Sequence, residues 1–227
     1  MKEKSLFFLV PTPIGNLEDI TLRALRILRE VDMILAEDTR KASILLRHHS
    51  IRNKVRSFHA FNEHKLLAEV IGMLKKGNHL ALISDAGTPG ISDPGFLIAR
   101  ECIRHMIPFE CLPGPVAFIP ALLLSGLPSG EFLYAGFLPV KKGRNKALND
   151  LAAETRTMAF YESPHKLART LADLAGLFGK DRQASVSREL TKLHEETIRG
   201  SLEFIISHFQ NNPPRGELVI IVAGKES

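Results

Sequence analysis

Three glycine- and proline-rich segments are where residue types and spacing in this 227-residue chain offer backbone N–H groups to a ligand. They are Pro11-Thr12-Pro13-Ile14-Gly15-Asn16, the stretch from Ser84 to Gly95, and Pro113-Gly114-Pro115-Val116-Ala117. The middle segment holds three Gly, two Pro and two Asp in twelve residues. Gly87 and Gly90 let the backbone approach a ligand closely, and Asp85 offers a carboxylate to hydroxyl or amine groups. No Gly-x-Gly-x-x-Gly is present, and Gly176 to Lys180 lacks the spacing of a phosphate-binding P-loop. Acidic residues repel phosphate, so the pocket expected here favours a neutral or cationic ligand such as a sulfonium compound. Turns between strands and helices also use Gly and Pro for geometry alone. Only the three segments together, at one sheet edge, would enclose a pocket.

Charge is unevenly placed. Between Thr39 and Asn62 there is no acidic residue, while Arg40, Lys41, Arg47, Arg52, Lys54 and Arg56 stand beside His48, His49 and His59. Such a run is either the footprint of a polyanion or a solvated helix face and loop. Lys141, Lys142, Arg144 and Lys146, around Gly143, form a second basic cluster in an expected loop with the same two accounts. Overall the chain is ordinary: 44% hydrophobic, 24% charged, formal net charge +5. Those values exclude disordered and fibrous classes. The apolar stretch Ala117 to Leu124 is interrupted by Pro120 and falls far short of the roughly 20 residues a bilayer crossing needs. Lys2 and Lys4 precede Leu6 to Val10, a run too short for a secretory signal, so a cytosolic protein is expected. Cys102 and Cys111 are the two cysteines. They suggest neither a disulfide framework nor a metal site, and both are expected as buried reduced thiols.

The elements that must position these segments alternate. Leu6 to Val10, Met33 to Ala36, His79 to Ser84 and Pro108 to Leu112 read as apolar strands. Helices are expected with Leu22, Leu25, Ile27 and Leu28 on a buried side, from Thr39, over Asn62 to Lys76, over Gly95 to His105, and after Pro115. Strands separated by helices imply right-handed crossovers and a mostly parallel sheet. Leu127 to Gly130 is the expected boundary, giving domains 1–127 and 128–227. Strands then recur at Glu131 to Phe137, Arg156 to Tyr161, Arg182 to Ser187 and Glu217 to Val222. Helices fall near Lys146 to Ala153, Lys166 to Phe178 and Leu202 to Gln210, and Glu196 to Gly200 is a candidate antiparallel strand. The fold class is therefore α/β, two domains with mostly parallel or mixed sheets. The three loops lie at the carboxyl end of the first sheet, where α/β proteins bind ligands.

Six segments occur in order: Val10 to Leu17, Ala36-Glu-Asp-Thr-Arg40, Ser57-Phe-His59 with Asn62-Glu63, Ser84 to Gly95, Tyr161-Glu-Ser-Pro-His165 and Arg188-Glu-Leu-Thr-Lys192. The set resembles the ribosomal RNA small subunit methyltransferase I family, within the tetrapyrrole methylase superfamily, over nearly the whole chain from Leu6 to Ala223. The resemblance implies a two-domain enzyme, usually a homodimer, with S-adenosylmethionine in the interdomain cleft. The implied reaction is 2′-O-methylation of a cytidine ribose in the decoding region of 16S ribosomal RNA, within the small ribosomal subunit. Carried over by loop, the implied cofactor positions are Ile14 and Gly15, then Asp85, Gly87 and Thr88, then Val116 and Ala117, with Tyr161 and Glu162 facing them from the second domain.

A ribose hydroxyl is a poor nucleophile, so a proton acceptor is expected, and Asp38, His59, Glu63 and Glu162 are the candidates. Three of the four have a structural account as well. Glu37 and Asp38 stand where acids cap a helix, His59 fits a satisfied histidine, and Glu162-Ser-Pro-His165 reads as a cap with proline in the first turn. Arg40 with Lys41, Arg188, Lys192 and His194 suit phosphate contacts, with Glu189 expected to orient Arg188. With no Trp and two Tyr, extensive base stacking is not indicated. A tetrapyrrole or other small-molecule methylase of the same fold, and a ribosome-binding factor without catalysis, remain as alternatives. The extended basic run disfavours the first and the three loops disfavour the second.

Overall fold

A computed structural model describes residues 7–225 and divides the chain into two compact units, Met1–Val116 and Ala117–Ser227. Leu127 to Gly130, where the sequence pattern put the boundary, lies inside the second unit. Leu6 and the lysines before it lie outside the described residues.

The first unit is built on β1 (Phe7–Leu9), β2 (Met33–Ala36), β3 (Val55–Ser57), β4 (Leu80–Ile83) and β5 (Phe109–Cys111). All neighbours are parallel, in the order β3-β2-β4-β1-β5. A parallel sheet is covered on both faces, which is why its strands are continuously apolar. Successive residues take opposite sides. Phe8, Ile34, Ala81 and Ile83 pack with α1 (Leu22–Glu30) and α2 (Thr39–His48). Phe7, Leu9, Leu35, Leu80 and Leu82 pack with α3 (Glu63–Lys75) and α4 (Phe96–Arg104). Helix starts follow their capping residues. Thr21 Oγ1 accepts from Ala24 N at 3.1 Å before α1, and Asp38 Oδ1 from Arg40 N at 2.8 Å before α2.

Two expectations about burial fail here. Leu22 is 85% exposed, because the inward stripe of α1 runs through Ala24, Ile27 and Leu28 at helical spacing and Leu22 falls on the far side. Cys102 is buried, its thiol pushed up to about 12 by burial and then by the charge of Glu101. Cys111, at the end of an edge strand, is exposed. The three-residue β3 has no apolar run in its Val-Arg-Ser sequence, so periodicity does not announce it.

The second unit carries β6 (Phe132–Phe137), β7 (Thr157–Glu162), β8 (Gln183–Arg188), β9 (Glu196–Ser201) and β10 (Leu218–Val222), in the order β6-β7-β10-β8-β9. β6 and β7 are parallel; the other three pairings are antiparallel, so this sheet is mixed. The Glu196 segment is a strand on the edge beside β8. One face packs on α6 (Arg144–Ala152), α7 (Leu167–Phe178) and α8 (Leu202–Asn211) through Met158, Phe160, Val186 and Ile220. Helix α5 (Phe118–Ser125) lies across β7 to β10 on the other face.

Among the described residues no helix is long and apolar enough to cross a membrane.

Candidate active site

The strand order creates a crevice in the first unit. From β1 the chain leaves through α1 on one face towards β2; from its neighbour β4 it leaves through α4 on the other face towards β5. Adjacent carboxyl ends whose connections diverge make a switch point, where α/β sheets bind ligands. The first two glycine-rich loops follow these two strands, and the third follows β5 beside β1.

Side-chain and backbone bonds tie the three loops together. Thr12 and Gly87 exchange N–H···O bonds at 2.9 and 3.0 Å. Thr12 Oγ1 donates to Ser84 O at 3.1 Å, Ser84 Oγ to Gly87 O at 3.0 Å, and Thr88 Oγ1 to Pro115 O at 2.9 Å. Gly87, at φ +83°, stands where the loops meet: a Cβ there would lie 3.6 Å from both Ile14 Cγ2 and Pro115 O. A Cβ on Gly114 would stand 2.5 Å from Pro11 Cβ, so the first and third loops touch because glycine is there. Ile14 is buried, Gly15 exposed, and Asp85, Thr88, Val116 and Ala117 half-buried. The staples Thr12 and Ser84 have no distinctive sequence signal beyond lying within the loops.

A titratable cluster borders this crevice at the ends of β2, β3 and β4. Asp85 Oδ1 accepts from Asp38 N at 3.0 Å, and Oδ2 pairs with Lys41 Nζ at 2.8 Å. In return the Glu37 carboxylate accepts the backbone N–H of Asp85. Burial, then the charge of Asp85, push Glu37 above its ordinary range, against the opposing pull of Lys41 and His59. Asp38 is different. Arg40 donates Nε to Oδ1 at 3.0 Å and Nη2 to Oδ2 at 2.6 Å, holding the acid well below the usual carboxylate range. Asp38 is thus the helix cap, while Glu37, the other acid of that pair, serves the loops.

His59 is half-buried, and its Nδ1 is buried without a hydrogen-bond partner among the described residues. Its backbone is fixed by N–H donation to Asn62 Oδ1 at 2.8 Å. Glu63 opens α3, where its charge favours the helix dipole.

In the second unit, Glu162 is 6% exposed with both oxygens engaged: Oε1 accepts from Ser163 N at 2.8 Å and Oε2 from Thr170 Oγ1 at 2.6 Å. Thr170 Oγ1 in turn accepts from Arg144 Nη2 at 2.9 Å, and Arg144 Nε donates to Asp173 Oδ2 at 2.8 Å. Arg144, expected in a basic surface loop, is therefore 4% exposed. Long cationic side chains enter a core when carboxylate, hydroxyl and carbonyl acceptors satisfy them there, and Pro139 O at 3.1 Å completes the set. Neighbouring Tyr161 belongs to a ring cluster missed in the sequence, with centroids 5.4 Å from Tyr134, 5.6 Å from Phe137 and 6.4 Å from Phe118.

The cations at the end of β8 have acceptors within the chain. Arg188 Nε donates to Glu196 Oε2 at 2.6 Å; Lys192 Nζ donates to Glu189 Oε1 at 2.9 Å and Glu217 Oε2 at 3.0 Å. Glu189 does not orient Arg188. At the end of a strand consecutive side chains diverge, and the left-handed backbone of Glu189, φ +50°, turns its carboxylate to Lys192 instead. His194 is exposed.

The family described as Tetrapyrrole (Corrin/Porphyrin) Methylases matches residues 6–205. A Thermotoga maritima protein named ribosomal RNA small subunit methyltransferase I is 46% identical over 218 residues, covering 96% of this chain and 98% of its own length. One of the same name from Escherichia coli O157:H7 is 45% identical over 226 residues, covering 97% and 78%. Among solved structures, uroporphyrin-III-C-methyltransferase from Thermus thermophilus superimposes with TM-score 0.68 at 20% identity, covering 98% of this chain and 95% of that one. A cobalt precorrin-4 methyltransferase gives 0.69 at 15%, covering 96% and 94%.

Proposed function

The chain belongs to the tetrapyrrole methylase family, and on that premise we propose that it uses S-adenosylmethionine to methylate the ribose 2′-hydroxyl of a cytidine in the decoding region of 16S ribosomal RNA. The observation that carries the substrate is the 46% identity, end to end, with a relative named for ribosomal RNA. The tetrapyrrole-acting proteins share the fold at 15 to 20% identity.

The residues present fit the cofactor. Gly87 leaves open the space between the first and third loops that a larger side chain would occupy, since even its Cβ would touch both. Asp85 lies two residues before Gly87 in the second loop, with the Glu37 carboxylate on its backbone N–H, and this pair of acids suits a positively charged sulfur. The bound cofactor supplies an electrophilic methyl group on a sulfonium. Ile14, Gly15, Gly87, Thr88, Val116 and Ala117 would hold it. Much of the rate then comes from presenting the oxygen in line with the methyl carbon. His59 is the proposed proton acceptor: its ring is half-buried beside Glu37, whose carboxylate stabilises the imidazolium that forms. Arg40 and Lys41 draw the RNA backbone to this edge. The enzyme acts in the cytoplasm as a homodimer.

Incubating small ribosomal subunits from a strain lacking the gene with the protein and S-adenosylmethionine is expected to add one 2′-O-methylcytidine, read by nucleoside mass spectrometry. Unchanged methylcytidine would overturn the reading. Asp85→Ala is expected to weaken cofactor binding in calorimetry, and Arg40→Ala to raise the KM for subunits instead. Equal loss of cofactor affinity in both would show that the roles are misassigned.

A further inference from the structure

The basic run from Thr39 to Asn62 is not one surface. Helix α2 starts at the carboxyl end of β2 and runs ten residues, about 15 Å at 1.5 Å per residue. It therefore carries Arg47 and His48 to the opposite edge of the sheet. Because β3 is parallel to β2, the chain must enter β3 at that same far edge, so Arg52 and Lys54 join them there. We infer that this far edge is a second RNA-binding surface, where Arg47, Arg52 and Lys54, assisted by His48, hold phosphates of a ribosomal RNA segment remote from the methylated nucleotide. The inference rests on the proposed substrate and adds an anchor outside the crevice.

Partner chemistry distinguishes these cations from the others. Arg40, Lys41 and Arg56 are paired with Asp38, Asp85 and Glu69. Arg47, Arg52 and Lys54 are exposed and form no ion pair among the described residues. Neighbouring acids are already engaged: Glu30 by Arg26 at 3.0 Å, and Asp32 by the N–H of His79 at 2.7 Å. Basic residues often end a helix because they favour its negative pole. That accounts for Arg47 and His48, but Arg52 and Lys54 lie outside any helix.

The turn that presents them is held rigidly. Asn53 Nδ2 donates to Leu28 O at 2.9 Å and Val31 O at 2.8 Å, Asn53 Oδ1 accepts from Lys54 N at 2.6 Å, and Ile51 is buried. A backbone fixed in this way presents its unpaired cations at set spacings along a phosphate backbone, whereas a mobile loop loses more entropy on binding.

The test is the triple variant R47A/R52A/K54A in the full-length enzyme, assayed on small subunits. The KM for subunits is expected to rise about tenfold at moderate salt, and the log–log salt slope to shrink by roughly 2 to 3 for three lost phosphates. The kcat and the cofactor Kd stay within about twofold, since none of the three residues borders the crevice. R47K/R52K, which keeps the charge, should restore most of the affinity. An unchanged KM and salt slope in a folded triple variant would overturn the inference. So would a loss seen with intact subunits and absent with protein-free 16S RNA, which would make the partner an acidic protein. Failure of the wild-type enzyme to methylate subunits would strike the proposed function instead, and the wild type and triple variant are then compared by filter binding, as the Kd for subunits and its salt slope.

Discussion

Replacing Thr170 by valine deletes one hydroxyl at the centre of the buried network of the second unit. That hydroxyl donates to Glu162 Oε2 at 2.6 Å and accepts from Arg144 Nη2 at 2.9 Å. Thr170, Arg144 and Glu162 are 1%, 4% and 6% exposed, so water does not replace the lost partner without opening the core. Each hydrogen bond to a charged group contributes about 1.5–3 kcal/mol, and two are lost. The extra methyl returns roughly 0.8 kcal/mol of apolar burial. Ser163 N on Glu162, with Asp173 and Pro139 O on Arg144, keeps each charge partly satisfied. The expected loss is therefore about 2–4 kcal/mol. The chain has no Trp, and both its tyrosines, Tyr134 and Tyr161, belong to the second unit. Tyrosine fluorescence in urea thus follows this unit alone, and at a slope of about 2 kcal/mol/M the midpoint should fall by about 1–2 M. A change below about 0.5 kcal/mol, the range of ordinary surface substitutions, would show that Glu162 and Arg144 are not held through Thr170.

Gly87→Val places a β-branched residue at φ +83°, costing about 1–3 kcal/mol of backbone strain, and fills the space between Ile14 and Pro115. Affinity for S-adenosylmethionine is expected to fall tenfold or more by calorimetry, and a Kd within about twofold of wild type would remove Gly87 from the cofactor site. Glu37 titrates above its ordinary value of 4.5 because burial and Asp85 disfavour its ionised form. The contribution of this group to stability is fully present below that value and lost as pH rises through the raised one. Glu37→Gln removes the effect, so its urea midpoint should gain on wild type as pH rises from about 4 to about 7; parallel curves would refute the shift.

Local pattern carried much of the fold. Continuous apolar runs at Met33–Ala36 and Leu80–Ile83 read as strands because both faces of a parallel sheet are covered. Glycine and proline at Pro11–Asn16, Ser84–Gly95 and Pro113–Ala117 marked the three loops that follow β1, β4 and β5 because tight turns and close backbone approach require them. The ordered motifs carried the family. Short β3 escaped because its three residues include a single apolar one. Leu22 misled because hydrophobicity was read without its angle on the helix.

The roles of individual charges were not legible. A string of residues determines which segments are strands, where the loops turn and that acids and cations are available near them. It does not determine which acid meets which cation, because that follows from strand order. With β4 inserted between β2 and β1, Asp85 and Asp38, 47 positions apart, share a hydrogen bond, and Glu37 rather than Asp38 is left to serve the loops. Likewise Arg144 turns inward because α7 brings Thr170 and Asp173 to it. Periodicity is local and survives in one dimension; charge pairing is a long-range contact, decided only when the crossovers pack.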